Sequence, residues 1–312
     1  MNASLHILVR EFLEHLAIEK NCSKLTIRDY MHYLLVFQEW LLTSLPDKNI
    51  HTIDVSDVRK YRVFLSNRAD KKGRTLKRIT QNYYVIALRS FLRFLIKNDY
   101  KTLEPSKIDL PKAESRSLKF LERDQVDRLV TSPNTSTEEG IRDRAIIELL
   151  FSTGLRVSEL AKLNKDEINL DRREFGVIGK GGRARVVFVS ERACEWLKIY
   201  LKKRQDMFKP LFIRYSGRTV EENQGEKMRL SVRGIERIVK KYVRLARLPV
   251  DATVHTLRHS FATDLLTNGA DIRSVQEMLG HKNISTTQIY THVTNRQLKE
   301  VHKTFHSGNK GI

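Results

Sequence analysis

Two short runs carry the side chains best suited to chemistry. One reads His255-Thr256-Leu257-Arg258-His259-Ser260-Phe261-Ala262-Thr263. The other runs from Leu279-Gly280-His281 to Ile289-Tyr290-Thr291-His292. Imidazoles, a guanidinium and a phenol so close together in a basic chain are equipment for attacking a phosphodiester without a metal. The phenol can serve as nucleophile, cations can hold the phosphate, and imidazoles can move protons.

Upstream, Arg156 stands in Ser152-Thr153-Gly154-Leu155-Arg156-Val157-Ser158-Glu159-Leu160, and Lys180 in the glycine-rich turn Gly179-Lys180-Gly181-Gly182. Taken singly, each of these residues has an ordinary structural explanation. Arg156 can pair with Glu159, Lys180 can be a solvated turn lysine, His281 can cap a helix after Gly280, and Tyr290 can be a core tyrosine. His255 and Arg258, three apart, share a face only if that run is helical.

The elements that must position these groups are mostly helical. Tyr30, Tyr33, Leu34, Phe37, Trp40 and Leu41 follow a helical rhythm, as do Tyr84, Ala87, Leu88, Phe91, Leu92 and Leu95. Asp54 and Asp57 predict the acidic start of a helix over residues 55–69, and residues 3–19 predict another. Together they predict a small bundle over residues 1–104 with an aromatic core. Pro105 and Pro111 mark a linker over 105–117. Residues 118–312 then predict a mainly α domain with helices near 122–131 and 141–151. A β-hairpin interrupts it, with strands Glu174–Gly179 and Ala184–Val189 joined by a glycine turn.

With 57 Lys and Arg against 37 Asp and Glu, the net charge is +20, which favours a polyanionic partner. The excess is shared: 19 basic against 12 acidic side chains in residues 1–110, and 38 against 25 in the rest. Lys77, Arg78, Arg89 and Arg93, with Lys97, line one face of the helix around residue 88 and are the candidate DNA contacts outside the chemical site. The N-terminal stretch is broken by Arg10, Glu11, Glu14 and Glu19, and no apolar run is long enough to span a bilayer, so neither secretion nor a membrane is expected. Cys22 and Cys194 form neither a disulfide framework nor a metal cluster, which fits a cytoplasmic protein.

As an ordered set, these motifs resemble the tyrosine recombinases, the phage-integrase family, and within it most closely the Xer-type site-specific recombinases. The resemblance covers nearly the whole chain. It implies a helical, SAM-like core-binding domain followed by a mostly α catalytic domain. It matches Arg156 to the family's first arginine, Lys180 to the hairpin lysine, His255 and Arg258 to the His-x-Leu-Arg-His element, His281 to Leu-Gly-His, and Tyr290 to the nucleophile. The implied reaction cuts and rejoins DNA strands through a 3′-phosphotyrosyl bond and a Holliday junction. Lys180 would protonate the leaving 5′ oxygen, and Glu159 would orient Arg156.

No cofactor or metal is implied, since the covalent bond conserves the energy for religation. The implied partners are double-stranded DNA, further copies of the chain in a tetramer on two sites, and a second recombinase or an accessory protein. Leu298, Val301 and Phe305 mark a terminal helix that would link protomers. The chain starts almost directly with the core-binding helices, so no arm-binding domain is expected. Residues 215–231 depart from the family as a longer, more polar stretch. Xer-like dimer resolution is the expected role. A mobile-element integrase, a non-catalytic DNA-binding regulator and a topoisomerase-like relaxing enzyme are the alternatives.

Overall fold

The computed structural model describes residues 4–69, 73–110, 119–179, 182–281, 283 and 285–288. The chain divides into two compact units, Met1–Ser115 and Arg116–Ile312.

The first unit holds α1 (Leu5–Ile18), α2 (Lys24–Ser44), α3 (Val55–Asn67) and α4 (Arg78–Lys97). α4 packs against each of the other three, so its apolar stripe Leu88, Phe91, Leu92 and Leu95 is wholly buried. Phe12, Phe37, Trp40 and Tyr61 complete the core, with Phe12 tilted 5.5 Å from Phe91 and Tyr61 edge-on to Phe37 at 5.1 Å. The start of α3 follows from its acids. Asp54 accepts from the amides of Ser56 and Asp57, Asp57 accepts from the amide of Asp54, and Lys48 reaches both carboxylates.

The segment read as a linker begins differently from expectation. Pro105–Lys107 forms a 3₁₀ turn, and Leu103, Pro105 and Ile108 are buried against the first unit's core. Their apolar side chains gain more from that surface than from an extended, solvated path. Residues 111–118 lie outside the described set.

In the second unit, α6 (Glu138–Thr153) is buried on nearly every side, between α5 (Arg123–Thr131), α8 (Glu191–Lys203), α10 (Val232–Leu245) and α11 (Val254–Thr267). Its buried charges are paired. Arg142 donates to Asp143 at 2.9 and 2.6 Å, Tyr242 donates to Asp143 at 2.9 Å, and Arg192 donates to Glu148 at 2.8 Å.

α7 (Val157–Lys162) follows, then β1 (Glu174–Ile178) paired antiparallel with β2 (Ala184–Phe188), Glu174 opposite Phe188. Phe175, Val177 and Val187 face the core, and Gly182 takes the left-handed φ of 77° that the turn needs. α9 (Glu222–Gly225), α12 (Ile272–Leu279) and α13 (Ser285–Gln288) complete the described α-helices.

The polar stretch 215–231 is folded. Met228 packs with Phe208 and Ile213 in a small core of their own, and Arg229 donates to the carbonyls of Ala161 and Leu163 at 3.1 and 2.9 Å and to Asn164 at 2.7 Å.

Candidate active site

The site is assembled where helices end. α6 stops at Gly154, whose φ is +59°, and a Cβ there would come within 2.4 Å of the Phe261 ring. Glycine alone fits, and the chain can turn at once into Leu155, fully buried, and Arg156. Arg156 is the N-cap of α7. Its amide donates to Glu159 Oε2 at 2.9 Å and its Nη1 to Oε1 at 2.8 Å, while the side chain remains 30% exposed.

α11 presents His255 and Arg258 one turn apart. Arg258 is only 2% exposed and joins three pieces of chain. Nη1 donates to Gly154 O at 2.5 Å, and Nη2 to Leu279 O at 2.5 Å and to His281 Nε2 at 3.2 Å. The two carbonyls belong to the C-terminal ends of α6 and α12, where orphan acceptors and the negative end of the helix dipole favour a cation. Arg156, His255 and Arg258 line one cleft of about 630 Å³.

His281 follows the left-handed Gly280 (φ +64°) that closes α12. A guanidinium can only donate, so Nε2 of His281 accepts from Arg258 and its proton resides on Nδ1, 3.0 Å from the hydroxyl of the fully buried Thr287. Burial first, then Arg258 and Arg156, hold its pKa at about 4. His259, edge-on to His255 with centroids 4.2 Å apart, is likewise held at about 4, by burial, His255 and Arg258. His255 is lowered from 6.5 by partial burial, then by Arg258 and Arg156. All three rings are therefore neutral at pH 7, and His255 is free of a proton it would have to lose before accepting one.

Arg156, Glu159, His255, Arg258 and His281 thus form one connected neighbourhood. Lys180 and Tyr290 lie outside the described residues, as do Leu298, Val301 and Phe305. Lys77, the N-cap of α4, and Arg78 and Arg93 on that helix are exposed, and Arg89 is half-buried. Among the described residues no cluster of His, Cys, Asp or Glu could hold a metal, and no helix is long and apolar enough to cross a membrane.

Sequence reasoning missed two residues. Thr287 gave no signal of its own. Arg185 did: it occupies the same face of β2 as Val187, an inward position where an arginine needs a buried partner. That partner is Glu159, which accepts from Arg185 Nη1 at 3.1 Å and Nη2 at 2.8 Å. Burial pushes the Glu159 carboxyl up, but Arg185 and Arg156 outweigh it and bring the pKa to about 2.

The chain thus joins a helical N-terminal unit in sequence to a domain that gathers arginines and imidazoles at helix ends, and both parts have relatives among known proteins. Residues 119–297 match the phage integrase family, and residues 9–99 match the phage integrase N-terminal SAM-like domain. The chain belongs to the phage integrase family of tyrosine recombinases, which are site-specific DNA recombinases. Its relatives include the tyrosine recombinase XerD of Listeria innocua, 38% identical over 96% of this chain and 98% of that protein. The tyrosine recombinase XerC of Pelotomaculum thermopropionicum is 37% identical over 98% of this chain and 100% of that one. The fold is also that of the XerH site-specific recombinase bound to palindromic difH substrate, with a TM-score of 0.71 at 23% identity, covering 96% of this chain and 84% of that one.

Proposed function

We propose that this recombinase acts through Tyr290 in an Xer-like role, resolving joined DNA circles by exchange at a specific site. The observation that carries the reading is the Arg258 side chain, which gathers the ends of α6 and α12 and His281 around the cleft shared with Arg156 and His255. The Xer relatives at 37–38% identity over nearly their full lengths support the role over that of a mobile-element integrase.

In the proposed reaction the Tyr290 oxygen attacks phosphorus, the bond to the 5′ oxygen breaks, and a 3′-phosphotyrosyl bond remains. A free phenol has a pKa of about 10, so its proton must leave during attack, and neutral His255 accepts it. Arg156 and Arg258 stabilise the extra charge on the nonbridging oxygens with paired donors, each worth about 3–4 kcal/mol. His281 adds a donor once its Nε2 carries a proton, which the approaching phosphate favours. Lys180 protonates the leaving 5′ oxygen. Religation with a partner strand through a Holliday junction needs four protomers on two sites. The terminal helix bearing Leu298, Val301 and Phe305 would couple them, alone or with a second recombinase. A role in resolving joined DNA circles would have the protein act in the cytoplasm.

A nicked suicide substrate tests the reading. Wild-type protein should become covalently attached to the 3′ end, and Tyr290→Phe should bind the site with unchanged affinity yet form no adduct. An undiminished adduct in that variant refutes the nucleophile.

A further inference from the structure

The Arg185 guanidinium is held by three hydrogen bonds to two different parts of the site. Nη1 and Nη2 grip Glu159 as a fork, and Nε donates to Met278 O at 3.0 Å, the carbonyl just before the one Arg258 takes. The side chain is 8% exposed; it does not line the cleft of Arg156, His255 and Arg258, but with Gly179 and His281 it lines a second one of about 1200 Å³. It is also closely fitted. A Cβ on Gly280, next to His281, would stand 3.1 Å from Arg185 Cδ, and one on Gly179, next to Lys180, would stand 3.3 Å from its Nη1.

We propose that Arg185 is a positioning residue for DNA strand cleavage, setting Arg156 through Glu159 and the His281 end of α12 through Met278. The inference rests on the reading of Arg156 and His281 as phosphate ligands.

Two physical effects make the arrangement useful. One is geometry: a planar fork with a third N–H pointing elsewhere can hold a carboxylate and a carbonyl together, which a lysine ammonium on its flexible stem cannot do in the same directions. The other is charge. Glu159 paired with Arg156 alone would largely cancel the cation that the phosphate needs. Sharing the carboxylate with Arg185 leaves the trio with a net positive charge and Arg156 with its field on the cleft.

The test is single-turnover cleavage of the nicked substrate by full-length Arg185→Lys, with site affinity and Tm measured on the same protein. Cleavage should fall about 10- to 100-fold, as expected when clamp groups shift by a fraction of a bond length to an ångström, while affinity stays within about twofold. The loss should shrink on a methylphosphonate substrate, which lacks one charged nonbridging oxygen and demands less of the clamp. A purely structural residue would lose the same factor on both substrates. Combined with Glu159→Gln, Arg185→Lys should give a loss smaller than the product of the two single losses, because the variants share the Glu159 contact while only Arg185→Lys also releases Met278.

Cleavage within about twofold of wild type, or an equal loss on both substrates with additive effects, overturns the proposal. If Arg185→Lys is too unstable to assay, Gly179→Ala crowds Nη1 with the arginine still in place and should show the same substrate-dependent loss; an equal loss on both substrates there also overturns it. Arg156→Ala is the control for the underlying reading. Wild-type cleavage by that variant would refute the clamp itself, whatever Arg185 does.

Discussion

Arg258 donates through Nη2 to Nε2 of His281, 3.2 Å away, and thereby fixes the imidazole as a neutral ring with its proton turned toward Thr287. On the proposed mechanism the residue that would bind the phosphate also sets the tautomer of its neighbour. A phosphate entering the cleft would compete for the same guanidinium and bring the negative charge that favours imidazolium. Substrate binding and the arming of His281 would then be coupled.

Acid should weaken the fold through these rings. Both His259 and His281 are held at about 4 against an ordinary value of 6.5. Their neutral forms are favoured in the folded state, so an unfolded chain takes up protons first as pH falls below 6.5. Stability should be full above that pH and decline toward pH 4. Glu159, held at about 2, adds its loss only below its ordinary 4.5. The measurement is Tm between pH 7.5 and 4.5, where His281→Asn should flatten the slope. A flat wild-type profile contradicts the assignment.

Arg258 and Arg156 should separate stability from catalysis. Arg258→Ala strips the charged donor from Gly154 O and Leu279 O and should cost about 3–5 kcal/mol of stability as well as cleavage. Arg156→Ala leaves Arg185 on Glu159 and should cost about 1 kcal/mol while also abolishing cleavage. Denaturant midpoints of the two variants decide it, and equal losses would mean that Arg258 is not the tie between the helix ends.

Lys180→Ala should cleave ordinary DNA poorly yet recover when the leaving 5′ oxygen is replaced by sulfur, which departs without a proton. Arg156→Ala should not recover, because it stabilises charge elsewhere. Failure of selective rescue removes Lys180 as general acid.

DNA affinity should fall steeply with salt, about 10³- to 10⁵-fold between 50 and 200 mM if some six to ten phosphates are neutralised. Lys77→Ala, Arg78→Ala and Arg93→Ala should each weaken binding on any sequence and lower the salt slope by about one. Unchanged slopes would make the exposed basic face of α4 an ordinary solvated surface.

The helices were legible in the chain because their evidence is local. The spacing of Leu88, Phe91, Leu92 and Leu95 marks a buried face, Asp54 and Asp57 mark a helix start, and Gly182 marks a turn, each by the period or backbone freedom of a few residues. Residue types and order likewise singled out Arg156, His255, Arg258 and His281. Neither the local pattern nor the motif could say that Arg258 would bridge Gly154 and Leu279, more than a hundred and some twenty residues away, since a hydrogen bond between distant segments leaves no periodicity in either. Proline content pointed to a linker at 105, but the buried surface under Ile108 drew that turn into the first core. Arg185 looked like one more cation in a basic chain. Only the fold, by burying it between Glu159 and Met278 where an unpaired charge could not remain, decided what it does.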